Sequence, residues 1–411
     1  MKKFSILFLA GLGGTAHANA FLLNEFDAKA VGRGNASSAT DSDPSSIYYN
    51  VGGLAIGEGT NVQIGGSLIS AGASYTDLAG NKTDTATSPQ AVPGVFVSAR
   101  IHPMVAIGVG MYTPFGLALD WPTTSPSADV VQDIALHTFF LTPSVGVNLG
   151  SIIPGLTAGA GLDLVPATID LRQAVYFGTD RGSAHLAGKA FGVGARVGVM
   201  YRPASEPRLS FGVMWRSDVK EDFSGDGNFD APAPYRSQLP PDGAVKTSIT
   251  LPQQVTGGAA FKMLPDFELE ANVIWTNWSK FHTLNIDVPA PTSGTMTIST
   301  PENYENKTSF RIGGEYGMPH LGLAFRAGYI YDPTPIPSTN LTAQLPDINR
   351  NDVTIGASKT AGQYAVHVGL LWVLPGSRTT SMTDPYQPQY KGKYDVSAFV
   401  ASVTLQGHFA K

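Results

Sequence analysis

The sequence predicts an all-β fold: a fourteen-stranded antiparallel transmembrane β-barrel with an N-terminal hatch plugging its lumen. Three observations carry that expectation. Segments of about ten residues alternate apolar with small or polar positions, as strands do when their two faces meet different surroundings. The intervals between these segments alternate long and short. An export leader opens the chain, and no later stretch reaches the roughly 18 apolar residues that a membrane helix requires.

Composition narrows the choice first. Of 411 residues only 14% are charged, 46 are glycine and none is cysteine. An ordinary soluble domain carries about 25% charge and about 7% glycine. A hydrophobic share of 43% excludes a disordered chain. The missing cysteines exclude disulfide scaffolds, iron–sulfur clusters and cysteine-ligated zinc. A formal charge of −5, with no Lys/Arg block, argues against a nucleic-acid partner.

Residues 1–18 read as a signal peptide: basic Met1-Lys2-Lys3, an apolar run from Phe4 to Leu12, and Ala16-His17-Ala18 as the cleavage site. Residues 19–59 do not alternate and are rich in Ala, Ser, Gly and Asp. So short a segment cannot bury a core of its own. Phe21, Leu22, Leu23, Phe26, Ile47, Tyr48, Tyr49 and Leu54 are too many for a solvated tail, so the segment is expected to pack as a plug. Gly32-Arg33-Gly34 lacks the strand–helix context of a nucleotide loop.

Residues 60–411 are expected to form the barrel. In Phe191-Gly-Val193-Gly-Ala195-Arg-Val197-Gly-Val199 the odd positions are apolar and the even ones mostly glycine. The same alternation returns at Leu209–Trp215, Phe267–Trp275, Leu323–Tyr331 and Tyr364–Trp372. A soluble sandwich would turn the apolar face inward; a membrane barrel turns it to lipid. Tyr112, Tyr201, Trp215, Trp275, Tyr329, Tyr331 and Trp372 lie near the ends of their runs, as interfacial aromatic girdles require.

Fourteen candidate strands follow: 60–70, 91–101, 104–112, 136–149, 156–172, 190–202, 208–217, 247–262, 266–280, 308–317, 321–332, 352–359, 364–374 and 394–408. The intervals 71–90, 113–135, 173–189, 218–246, 281–307, 333–351 and 375–393 are long, and those between them short. Long extracellular loops alternating with short periplasmic turns are expected of such a barrel, which puts both termini in the periplasm.

Asn19-Ala20-Phe21-Leu22-Leu23-Asn24-Glu25-Phe26, Gly32-Arg33, and Asn50 before Leu54 resemble the start of the FadL family of outer-membrane transporters. The likeness returns at Trp215-Arg216-Ser217-Asp218-Val219-Lys220, at Trp275–Phe281, at Asp332–Pro337 and at Leu345-Pro346-Asp347. It implies passive uptake of long-chain fatty acids or other hydrophobic molecules across the outer membrane of a Gram-negative bacterium. Outer-membrane lipid and lipopolysaccharide are the surroundings it implies, with a monomer, no cofactor, no metal and no catalysis expected.

The resemblance also implies site residues. Asn50 matches the hatch asparagine, although Asn50-Val51-Gly52 replaces Asn-Pro-Ala. Pro114 and Gly116 match an inward kink of the third strand that gives lateral exit to the membrane. Proline cannot donate to a ladder, and unpaired backbone in a lipid-facing wall is tolerated only beside a cavity. Arg172 matches an arginine that contacts the fatty-acid carboxylate, and a guanidinium suits a carboxylate. The family's second basic ligand has no counterpart: Glu302 stands near its place with only Lys307 close by, which opens the alternative of a neutral hydrocarbon. Gly198 matches a glycine of the transport channel. Phe115, Leu117, Leu119 and Trp121, an apolar stretch in the second long interval, resemble an outer capture groove, and Phe21 joins the ligand-binding set. A general porin and a barrel lipase or protease are the remaining readings. No metal-ligand spacing among the histidines and no Gly-x-Ser-x-Gly pattern supports an enzyme.

Overall fold

The computed structural model describes residues 20–86, 88–381 and 391–409; the expected leader and Asn19 lie outside the described residues. Fourteen strands form one closed antiparallel barrel. They are β1 (Thr60–Asp77), β2 (Gln90–His102), β3 (Val105–Tyr112, resuming as Gly116–Asp120) and β4 (Asp133–Thr138 and Phe140–Asn148). Next come β5 (Leu156–Phe177), β6 (Asp180–Tyr201), β7 (Leu209–Arg216 and Val219–Asp230) and β8 (Gly243–Leu251 and Gln254–Leu264). The rest are β9 (Phe267–Thr276, extended by Thr283–Pro289), β10 (Thr295–Pro301 and Lys307–Met318), β11 (Leu323–Asp332), β12 (Arg350–Ala361), β13 (Tyr364–Thr379) and β14 (Gly392–Phe409). Each pairs with its sequence neighbour, and β1 pairs with β14 from Thr60↔Phe409 to Asp77↔Gly392, closing the sheet on itself.

Side-chain burial decides between sandwich and membrane barrel. Phe191 is 62% and Val213 57% exposed on the outer face, whereas Asp163 and Arg196 have side chains 0% exposed inside. That inversion fits a lipid-facing wall. It also corrects one girdle residue. Ile107, Val109 and Met111 face outward on β3, so Tyr112 must face inward, where it stacks between Phe96 at 5.5 Å and Phe140 at 5.9 Å. Strand parity outranks position at the end of a run.

The long intervals need correction too. Residues 173–189 are not a loop: β5 and β6 run on, 22 residues each, to a tight turn at Gly178-Thr179. At ~3.3 Å per residue each strand is about 70 Å long, far beyond the ~30 Å hydrocarbon layer. β7 likewise resumes at Val219. The polar residues of these exposed ribbons read as loop because water, not lipid, bathes their outer face.

Residues 20–55 are mostly buried and pack against the inner face of the barrel. Helix α1 (Ala28–Gly32) is capped by Asp27, whose carboxylate accepts the Lys29 N–H. Helix α2 (Ser46–Tyr49) leads to a 3₁₀ turn, Val51–Ala55, capped by the Asn50 side chain. The glycine-rich inner face is the imprint of this plug. A Cβ at Gly198 would sit 2.1 Å from Asn50 Oδ1, and one at Gly212 would sit 1.9 Å from the Ser38 carbonyl oxygen. The seam is polar: Arg33 pairs with Glu270 at 3.3 Å, and Gln406 Nε2 donates to Asp43 Oδ1 at 2.7 Å.

Candidate functional site

The wall is interrupted at β3. Between the pairs Tyr112↔Phe140 and Gly116↔His137, β3 carries three residues where β4 carries two, which is a bulge. Pro114 has no N–H to pair, and its place in the bulge leaves its carbonyl free of β4. The pairing of β2 with β3 ends at Gly94↔Tyr112, so the segment Gly116–Asp120 has β4 as its strand partner and none on the β2 side. A slot opens between β2 and β3.

The plug fills that slot with backbone. Leu23 N–H donates to the Pro114 carbonyl at 2.8 Å, and Gly116 N–H to the Phe21 carbonyl at 2.9 Å. Leu22 therefore faces Phe115 as an antiparallel bridge. One residue earlier, Ala20 N–H donates to Asp347 Oδ2 at 3.2 Å, tying the plug's first described residue to the extracellular segment between β11 and β12.

The Phe21 side chain points the other way, into an apolar cavity of about 50 Å³ lined also by Leu117, Leu136, Phe281, Tyr304 and Leu345. The Phe21 ring meets Trp278 edge-on at 4.9 Å and Phe281 at 5.8 Å. A second cavity of about 40 Å³, reaching Leu171, Leu186 and Phe223, shares Ile134, Ile169 and Leu284 with the first. The two make one hydrocarbon-lined zone above the plug. Its single carboxyl is Glu302, which apolar burial pushes up to about 7.

Beneath Phe115 lies a polar cavity of about 30 Å³ that sequence reasoning missed, lined by Arg216, Arg311, Tyr48, Tyr49 and Gln254 among others. Arg216 stands over the Phe115 ring at 4.8 Å and donates to Gln254 Oε1 at 2.8 Å. The available signal was parity: Arg216 and Arg311 occupy inward positions beside the outward Trp215 and Phe310.

The structure thus brings Phe21, Pro114, Phe115, Gly116 and Leu117 together. Asn50 and Gly198 meet elsewhere, at the contact of plug and β6, where Asn50 Nδ2 donates to the Ser38 and Val199 carbonyls at 2.7 and 3.1 Å. Two expectations are corrected. Leu119 and Trp121 form no exposed groove: both are buried, and Trp121 Nε1–H donates to the Ala343 carbonyl at 2.9 Å, because β3 continues as a strand beneath the segment after β11. Arg172 does not line the lumen. Ile169 and Leu171 take the inward positions of β5, so Arg172 points outward, 55% exposed, between Asp133 at 3.8 Å and Asp170 at 3.9 Å.

A family model described as outer membrane protein transport protein (OMPP1/FadL/TodX) matches residues 9–409. The long-chain fatty acid transport protein of Salmonella typhi is 26% identical over 412 residues, covering 91% of each chain. The crystal structure of a Pseudomonas aeruginosa FadL homologue superposes with a TM-score of 0.83 at 17% identity, covering 95% of this chain and 100% of that one. The toluene transporter TodX of Pseudomonas putida superposes with a TM-score of 0.75 at 18% identity, with the same coverage.

Proposed function

The chain belongs to the outer membrane protein transport protein (OMPP1/FadL/TodX) family, and we propose that it moves hydrophobic molecules through its apolar cavity and out sideways between β2 and β3. Related proteins are named for long-chain fatty acids and for toluene, and the same broad class of cargo suits this cavity. The outer lipopolysaccharide layer is a poor solvent for such molecules. Burial of apolar surface, worth about 0.8 kcal/mol per CH₂, would draw them in.

One observation carries the reading: Phe21 serves both cavity and slot. The Phe21 side chain lines the cavity, while the Phe21–Leu23 backbone completes the broken strand. A ligand that displaces the Phe21 ring therefore pulls on the pairing that closes the wall. In this reading residues 19–59 act as a hatch, Asn50 pins it to β6, and downstream consumption of the cargo sets direction. The chain's family and relatives are described as transport proteins, which supports a transport role.

The test is uptake of labelled oleate, toluene and hexadecane by a Gram-negative strain with and without the protein. Uptake of at least one is expected, and no gain for any of them would sink the proposal. A porin reading predicts large single-channel currents from the purified protein, whereas the plugged lumen predicts very small ones. Gly198→Val, which drives a side chain into Asn50, is expected to raise those currents at an overpacking cost of about 1–3 kcal/mol. Arg172→Ala is expected to leave uptake at the wild-type level and stability within about 0.5 kcal/mol.

A further inference from the structure

Glu302 is the anomaly of the apolar cavity. It follows Pro301 at the end of the first β10 segment and is only 9% exposed. Its backbone is fixed, since Glu302 and Asn303 N–H both donate to the His282 carbonyl, at 2.8 and 2.9 Å. Its carboxyl lines the cavity with Phe21, Leu117 and Phe281, and among the described residues it receives no hydrogen bond and no ion pair. An acceptor in apolar surroundings without a donor is poorly solvated and gains from one that arrives.

The charged and titratable neighbours are mostly engaged or acidic, and Lys246, which borders the second cavity, is exposed on β8 between the inward Val245 and Thr247. Lys307 pairs with Glu305 at 2.7 Å. The Arg378 guanidinium donates to the Ile336 carbonyl and, at 3.0 Å, to Ser338 Oγ. His282 Nδ1 contacts Thr283 Oγ1 at 3.3 Å. Asp347 is held by Ala20 N–H, and Tyr304 is buried beside the carboxyl, which disfavours its ionisation. Arg216 and Arg311 line the separate polar cavity. The Tyr304 hydroxyl, Asn340, Thr342 and Gln344 also border this zone, but Glu302 is the one carboxyl among its lining residues and the one strong acceptor it offers an entering molecule.

We infer that this cavity selects hydroxylated hydrocarbons, whose O–H donates to the Glu302 carboxylate while the hydrocarbon body fills the apolar lining, and that it turns carboxylates away. A carboxylate ligand would set like charges side by side in a dry site. An alkane would fill the same space but leave the buried acceptor unmet. The inference rests on the uptake reading and adds the head-group chemistry.

The experiment measures binding of 1-dodecanol, laurate and dodecane to the purified full-length protein in lipid nanodiscs at pH 8, where Glu302 is ionised. Uptake of the three by cells is measured in parallel. The wild type is expected to bind dodecanol about tenfold or more tighter than either laurate or dodecane, the size of one hydrogen bond to a charged group. Glu302→Leu is expected to bring dodecanol down to the level of dodecane while dodecane itself binds as before. Glu302→Lys is expected to move the preference to laurate. Folding of each variant is checked by its heat-modifiable band on a denaturing gel.

Equal wild-type affinities for alcohol and alkane would overturn the inference, as would an alcohol preference that survives Glu302→Leu. Dodecane uptake without an alcohol preference would remove this inference and leave the transport reading standing. Failure to take up any of the three would remove both.

Discussion

Joining Leu22→Cys to Phe115→Cys by a disulfide is expected to drop uptake to the background of cells lacking the protein. The two residues face each other across the bridge that seals the slot in β3. The bonds beside them run from Leu23 to Pro114 and from Gly116 to Phe21, which makes Leu22 and Phe115 a non-hydrogen-bonded antiparallel pair. Such pairs have Cα atoms about 4.5 Å apart, within the ~4.4–6.8 Å a disulfide spans. The native chain has no cysteine, so no wrong pairing competes, and the periplasm supplies an oxidising setting. Reduction should restore uptake, which separates the effect of the bond from that of losing two apolar side chains. Full uptake in the oxidised variant would mean that the hatch need not leave the wall, and the lateral route would fall.

The fold was largely legible because each membrane strand repeats one instruction, apolar outward and small or polar inward, for about ten residues. The site was less legible because that instruction reverses along a single strand. On β5, Leu162 faces lipid while Asp163 faces the lumen. A few residues on, Ile169 and Leu171 face the cavity while Asp170 and Arg172 face outward. Parity never changes; the surroundings do. Beyond the bilayer the outer face meets water, so the strand follows the rule of a soluble sheet, with the apolar side in. A chain read throughout as lipid-facing takes 173–189 for a loop, and the family resemblance that put Arg172 at the ligand did not register this change of surroundings. The aromatics of residues 20–55 signalled that this segment packs, but its contacts were not legible. The pairing of Leu22 with Phe115 lies 93 positions away in the chain, and no local pattern encodes it.

Asp163→Ala is expected to be the most destabilising single change in the wall, at about 3–5 kcal/mol. Asp163 and Arg196 face each other across β5 and β6 with no exposure to solvent. Arg196 Nη2 lies 2.8 Å from Asp163 Oδ1, and Nε donates to the same oxygen at 2.9 Å. The guanidinium also donates through Nη1 to the Ile47 carbonyl of the plug at 2.9 Å and lies 5.3 Å from the Tyr112 ring. Asp163 accepts from Thr142 Oγ1, which is bonded in turn to the Tyr112 hydroxyl at 2.8 Å. Removing the carboxylate strands a cation at the meeting point of β3, β4, β5, β6 and helix α2. The loss should appear as a lower temperature for conversion of the heat-modifiable band, together with leak currents as α2 loosens. Replacing both partners by apolar residues, Asp163→Leu with Arg196→Met, should recover most of the wall's stability, because the stranded charge and not the missing pair makes the single change costly. The leak should persist in that double variant, since the Ile47 carbonyl still lacks its donor. A double variant as tight as the wild type would show that the plug is held by its glycine-matched shape and not by this polar tie.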